Sequence, residues 1–275
     1  MRLDKYIKEQ WYSQQLDRTQ KVDKEFVLEF MKKNKDYRDG GRVFRGLHRL
    51  IGGYGYVEPE KFVRRSKNTE NYYTLIIDNS SYWSAYPKRS RSIICTSSPY
   101  TADSYGTGYR VIPKDGAKIG ECPVSDFWQS FSDSIGRKSL ADLNYYINKL
   151  LLLIVVQIKK SVLPPIYEYN ELKKYFAMVD ENKSKIEKVL KDGIKRNDDT
   201  YEAIYSVFNF DLEYFEKNKK LLEVLEERFR PDKNGFKLKN IGDRFERDDV
   251  ELWISDPCVL VERHEYENLE RSGEA

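Results

Sequence analysis

Short apolar runs with strand character occur at two widely separated places in this chain, and a long charged stretch with helical periodicity lies between them. Ser92-Ile93-Ile94-Cys95-Thr96, Tyr109-Arg110-Val111-Ile112 and Ala117 to Cys122 come before it. Val250, Leu252 and Ile254, then Cys258-Val259-Leu260-Val261, come after it. A strand needs neighbours, because its backbone N–H and C=O groups and its apolar face must be covered. The run at 250–262 finds such neighbours only in the early strands. The predicted class is therefore α+β, with one sheet completed from both ends of the chain and a helical stretch inserted between them. A separate all-helical second domain would leave the 250–262 strand without partners. The organisation expected over residues 1–275 is a single domain: an N-terminal helical segment (1–40), the first part of the β core (41–135), a helical insertion (139–230), and the C-terminal strands with a tail (235–275).

Local signals fill in this outline. Phe26, Val27, Phe30 and Met31 recur at helical spacing, predicting a helix over 2–35 that ends at Asp39-Gly40-Gly41. Val43, Arg45 and Leu47 alternate with Phe44 and Gly46, predicting a short strand. The glycine-rich 51–56 stretch reads as a loop, and 58–78 as partly helical. Pro113-Lys114-Asp115-Gly116 between two apolar runs predicts a hairpin, since Pro presets φ and Gly permits positive φ. Ser139-Leu140-Ala141-Asp142 resembles a capping box. Leu140, Leu143, Ile147, Leu150, Leu151, Ile154 and Ile158 then mark a buried helix that Pro164-Pro165 closes. Residues 168–228 continue as Lys/Glu-rich helices broken near Asp192-Gly193 and 197–200. The polar tail from Glu262 is expected to fray.

Composition narrows the function classes. Lys plus Arg number 48 against 45 Asp plus Glu, a formal net charge of +3, which excludes a polycation and an acidic disordered chain but allows a local basic groove. Two histidines do not fill a His-rich metal site, and the three cysteines, Cys95, Cys122 and Cys258, form no C-x-x-C pair. No apolar h-region marks residues 1–20 as a secretory signal, and the seven-residue run 150–156 is short against the roughly 20 needed to span a bilayer. A cytoplasmic protein is expected, without a membrane or metal partner.

Three places could carry chemistry. Arg45 and Gly46 lie within the strand at 43–47. A charge there either binds an anion or faces solvent from an edge strand, and Gly46 would let a ligand approach the backbone. Cys95-Thr96-Ser97-Ser98 puts hydroxyls at the end of an apolar strand, where they can orient a carboxylate or cap a turn or helix. Asp249 and Glu251, two apart in a strand, put two carboxylates on one face or form an exposed acidic strand end. Folding gains nothing from that repulsion, which favours a functional cause. His48 follows Arg45 by three residues and reads as structural.

Taken together, these places resemble the ADP-ribosyltransferase family in its cholera-toxin-like branch. That family carries an Arg on its first strand, a Ser-Thr-Ser motif ending a central strand, and a late catalytic Glu. Here the order is Arg45, then Cys95-Thr96-Ser97, then Asp249-Val250-Glu251. The resemblance covers about residues 41–135 and 235–262. It implies a split β-sheet core and an enzyme that consumes NAD as substrate. Glu251, with Asp249, would be catalytic and stabilise positive charge developing on the ribose. Arg45 and Gly46 would hold the pyrophosphate, Thr96 and Ser97 would belong to the NAD site, and Tyr105 or Tyr109 would stack on nicotinamide. Cys95 stands where the family has the Ser that orients the Glu, leaving Thr96, Ser97 and Ser92 as alternatives. Asp249 stands where Glu or Gln is usual, which leaves the acceptor open and counts against arginine.

The acceptor would be RNA or a protein side chain. Lys61 to Lys67, Lys88-Arg89 and Arg91, interleaved with Tyr72, Tyr73, Tyr82, Trp83 and Tyr86, lean toward RNA, because basic groups hold phosphates and rings stack bases. The resemblance also points to an intracellular bacterial toxin of a toxin–antitoxin or phage-defence system, with an antitoxin protein as partner. A non-enzymatic interaction or RNA-binding module is the alternative from another class. In that case Glu251→Gln would be neutral or stabilising, since it relieves the clash with Asp249.

Overall fold

The computed structural model describes residues 19–47, 52–65, 70–136, 139–158, 163, 165–216 and 219–275. It is a mixed α+β chain with two compact units. The first combines 1–64, 85–126 and 236–275; the second combines 65–84 and 127–235. The strands belong to the first unit, and the second is helical.

The strands are β1 (Gln20–Lys21), β2 (Val43–Leu47), β3 (Tyr54–Val57), β4 (Ile93–Thr96), β5 (Thr107–Pro113), β6 (Lys118–Glu121), β7 (Lys237–Asn240), β8 (Glu251–Ile254) and β9 (Cys258–Glu262). They form one antiparallel sheet in the order β1-β3-β9-β5-β2-β4-β8-β6-β7. The late strands β8 and β9 are thus both central, and both pair with early strands, as the partner argument requires. β8 lies between β4 and β6, while β9 lies between β3 and β5.

The ladder is uneven. β2 pairs with β5 along its whole length, Val43 opposite Val111 through to Leu47 opposite Thr107. With β4 it shares only the pair Phe44–Thr96 among the described residues. On one face, Val43, Leu47, Ile93, Cys95, Tyr109, Val111, Leu252, Ile254, Val259 and Val261 form the core. The helix Lys24–Lys33, capped by Asp23 accepting the Phe26 N–H at 2.8 Å, adds Val27 and Met31 to it. On the other face Trp253 is fully buried beside Phe236, over Gly120, where a Cβ would come within 2.3 Å of the indole.

Several local expectations are corrected. Of the helix expected over 2–35, residues 2–18 lie outside the described residues, and residues 20–21 form β1, because Asp23 starts the helix at Lys24. The glycine-rich loop is shorter than predicted: Tyr54–Val57 is a strand held by β9, with positive φ confined to Gly52 and Gly53. The turn at 114–117 forms, closed by Ala117 N–H donating to the Lys114 carbonyl at 3.2 Å with Gly116 at φ +74. It is not a hairpin. β5 is taken up by β2 and β9, and β6 by β7 and β8, so burial on both sides of each strand overrides the local signal. The tail is the helix Arg263–Ser272, with Tyr266 and Leu269 in the core.

In the helical unit the predicted capping box is present. Ser139 Oγ accepts from the Asp142 N–H at 3.2 Å, and Asp142 accepts from the Ser139 N–H at 2.9 Å, opening the helix Leu140–Leu152. A π-helical turn continues it to Ile158. Pro164, expected to close the helix, lies outside the described residues. The helix Tyr72–Asn79 buries Tyr72, Tyr73, Ile76 and Ile77 here, so residues 70–84 pack with the helices although they fall within the sequence range assigned to the β core. Trp83, Phe127, Phe131 and Phe229 complete an aromatic core, with the Trp83 indole N–H donating to the Phe229 carbonyl at 2.8 Å. No helix among the described residues is long and apolar enough to cross a membrane.

Leu269 is 2% exposed. Leu269→Ala is expected to cost about 2–5 kcal/mol in urea denaturation, as for a buried leucine; a fraying tail would show almost no change.

Candidate functional site

Glu251 opens β8 and is anchored on both sides. It stands opposite Thr96 on β4. Its own N–H donates to the Val124 carbonyl at 3.1 Å, and its carbonyl accepts from the Cys122 N–H at 2.9 Å. Directly opposed residues of antiparallel strands share a face, so Thr96 and Glu251 project together. Cys95, opposite Leu252, faces the core. The hydroxyl on the glutamate's side of the sheet is therefore that of Thr96. Burial pushes the Cys95 thiol up to about 12, with the nearby Arg45 charge opposing the shift and that of Glu251 adding to it. Burial likewise raises the Cys258 thiol well above its usual range.

The hydroxyl groups gather on the segment 247–250. Ser97 Oγ donates to the Arg247 carbonyl at 3.3 Å and accepts from the Val250 N–H at 3.0 Å, while its N–H donates to the Val250 carbonyl at 3.1 Å. Ser97 thus clamps the residue between the two carboxylates. Asp249 Oδ1 accepts from Thr101 Oγ1 at 2.9 Å and, more distantly, from Thr96 Oγ1 at 3.5 Å. Ser98 caps the short helix Pro99–Ser104, accepting the Thr101 N–H at 3.2 Å, so the capping alternative holds for that residue.

Glu251 has a different partner. Arg89 Nη2 donates to its Oε1 at 2.8 Å, with side-chain exposures of 3% and 12%. This corrects two expectations. Arg89 is not part of an exposed basic patch, and the acidic pair is not left to repel unanswered: a guanidinium meets one carboxylate and hydroxyls meet the other.

The other candidates are placed as follows. Arg45 is on an interior strand, not an edge, and its Nη1 donates across to the Ile94 carbonyl of β4. Gly46 makes room for the protein itself: a Cβ there would lie 2.0 Å from the Ala102 carbonyl and 2.8 Å from Tyr105 Cβ, which closes that backbone to a ligand. Tyr109 is fully buried in the core and is not a stacking ring; Tyr105 is 59% exposed. Tyr72, Tyr73 and Trp83 are likewise core residues and cannot stack on bases. Lys61 pairs with Glu58, Arg65 lies 3.8 Å from Glu168 and over the Tyr167 ring, and Arg91 donates to the Glu60 carbonyl at 2.8 Å. His48 and residues 66–67 lie outside the described residues. No group of His, Cys, Asp and Glu that could hold a metal ion is present among the described residues.

Arg89 and Thr101 escaped the sequence reading as partners of the acidic pair. Ser98-Pro99, a cap residue followed by Pro at the first helical position, is a helix-start signal that would have placed Thr101 beside the end of β4. Nothing local marks Arg89 as the partner of a residue so far along the chain.

Compared with known proteins, the chain has no significant match to a family model, a curated sequence or a solved structure.

The three cysteines are free and buried. A thiol reagent at pH 8 is expected to label none of them in the folded chain and all of them in denaturant. Because the Cys95 and Cys258 thiols are raised, the folded state holds their protons to higher pH than the unfolded state. Their contribution to stability is complete below the unfolded thiol value of roughly 8.5 and is lost as pH rises above it. Urea midpoints between pH 8 and 10.5 check the direction.

Proposed function

We propose that this chain is an NAD-consuming ADP-ribosyltransferase with a macromolecular acceptor. The observation that carries the reading is topological. The strands bearing Arg45, Thr96 and Glu251 lie far apart in sequence but are consecutive neighbours, β2-β4-β8, and among the described residues β2 and β4 share the one pair Phe44–Thr96. Thr96 and Glu251 share one face, while Arg45, level with Cys95, starts from the other face at the same seam, and this strand order is what supports the resemblance.

In the reaction, the bond between nicotinamide N1 and ribose C1′ breaks and its electron pair leaves with neutral nicotinamide. Glu251, held in place from both sides, stabilises the positive charge on the ribose. Arg45 starts from the opposite face, and its guanidinium, which reaches the Ile94 carbonyl at the seam, is the charge-assisted donor assigned to the pyrophosphate. The acceptor nucleophile forms the new bond to C1′ and gives its proton to Asp249 or to solvent. Tyr105 remains the ring available for nicotinamide. The ground for preferring RNA is narrower than the sequence suggests, since Arg89, Tyr72, Tyr73 and Trp83 are buried.

The alternative of a binding module can no longer be separated by stability. With Arg89 as partner, Glu251→Gln leaves a buried guanidinium without its counter-charge and is destabilising on either reading. Activity separates the two. Incubation with NAD labelled in its adenylate half, followed by separation of RNA and protein fractions, is expected to place label in one fraction and release nicotinamide. Glu251→Gln, with folding checked by circular dichroism, should lower that release by roughly 10²–10³-fold. No loss of NAD in the wild type overturns the reading, and label confined to protein removes RNA as acceptor.

A further inference from the structure

We propose that Arg89 is the positioning residue for Glu251: its buried guanidinium fixes the carboxylate in the orientation from which it acts on the ribose. This rests on the ADP-ribosyltransferase reading.

The backbone of Glu251 is tied to β4 and β6, but a glutamate side chain still turns about three bonds. A partner at its far end restricts those turns and aims the carboxylate. The hydroxyls of Thr96 and Thr101 turn to Asp249, and that of Ser97 to Val250 and the Arg247 carbonyl, whereas the Arg89 guanidinium meets Glu251 Oε1 at 2.8 Å.

Arg89 is itself well held. It starts the 3-10 turn Arg89–Arg91, closed by the Arg91 N–H donating to the Lys88 carbonyl at 2.9 Å and by Ser92 Oγ donating to the same carbonyl at 2.8 Å. Two residues before Arg89, the Pro87 carbonyl accepts from the Trp253 indole at 3.0 Å. Trp253 and Glu251 are two apart on β8 and project to the same face. The segment 87–92 is therefore docked on β8 at two points, one of them the carboxylate itself, and the guanidinium is aimed before any substrate arrives.

Stability does not account for the pair. Burying two charges costs several kcal/mol per ion, and well-packed apolar residues of similar volume usually serve folding as well or better. A planar guanidinium also orients a carboxylate in a way an ammonium does not.

The test is nicotinamide-release kinetics on the full chain for the wild type, Arg89→Gln, Arg89→Lys, Glu251→Gln and the double variant Arg89→Gln/Glu251→Gln, with folding checked by circular dichroism. Arg89→Gln is expected to lower kcat by about 100-fold while KM for NAD stays within about threefold, as for a misplaced catalytic group. Arg89→Lys should recover part of kcat. In the Glu251→Gln background, Arg89→Gln should cause no further loss, because a residue that acts through Glu251 has nothing left to position. Wild-type kcat in Arg89→Gln, an effect on KM alone, or an undiminished loss on top of Glu251→Gln overturns the proposal and leaves the transferase reading standing. A wild type that releases no nicotinamide overturns both. Should Arg89→Gln not fold, Arg89→Lys decides: lowered kcat at unchanged KM supports positioning, and wild-type kcat overturns it.

Discussion

The pair Phe44–Thr96 is where the two halves of the sheet meet. On one side β5 follows β2 from Val43 to Leu47; on the other, β8 follows β4 from Ile93 to Thr96. Between β2 and β4 the ladder is that one position, among the described residues. Backbone carbonyls near a ladder that stops early still need donors. Arg45 supplies one, its guanidinium donating to the Ile94 carbonyl. The same side chain thus bridges the weak seam of the sheet and brings a positive charge to it. The hydroxyls that end β4 and the carboxylate that begins β8 lie at that seam because Thr96 is at once the partner of Phe44 and of Glu251.

The two acidic residues are handled by different physics. Asp249, just ahead of β8, is met by the Thr101 hydroxyl and at longer reach by that of Thr96. Neutral donors are enough for a carboxylate that keeps contact with water. Glu251 is 12% exposed and is met by a guanidinium that is itself almost wholly buried. A charge drawn that far from water needs a counter-charge, and the pair is usually no more stable than an apolar replacement. Two carboxylates two residues apart therefore take unlike environments, the condition under which neighbouring acids acquire unlike roles.

The sequence carried the elements better than their pairing. Short continuous apolar runs mark β4 and β9, spacing by two at Val250, Leu252 and Ile254 marks β8, and the Ser139 capping box opens its helix where expected. β7 was invisible because Lys237-Leu238-Lys239-Asn240 is a polar edge strand, and lysine on an edge is what keeps such a strand from pairing further. The 113–116 signal predicts a hairpin that does not form, because turn chemistry fixes a change of direction without choosing neighbours. The tail's helix is hard to see in sequence because its apolar content is Tyr266 and Leu269, three apart, enough to seat a helix on a sheet but too sparse to stand out among eight charged and polar residues. In the site, strand order was legible as motif order, but the Arg89–Glu251 contact joins positions 162 apart and no window of sequence contains both.

Parity settles what β4 contributes. Ile93 and Cys95 join Leu252 and Ile254 in the core, while Ile94 and Thr96 share a face with Trp253 and Glu251. A serine hydroxyl at position 95 would be buried among apolar groups, whereas cysteine behaves there as a small hydrophobe, its thiol meeting the Ile93 carbonyl at 3.9 Å. Cys95 is thus a core residue, and its substitution for serine removes nothing from the glutamate's side of the sheet. With Thr96 turned to Asp249 and Ser97 to Val250, the Glu251 carboxylate is met by a residue outside the strand, Arg89, in the turn that leads into it.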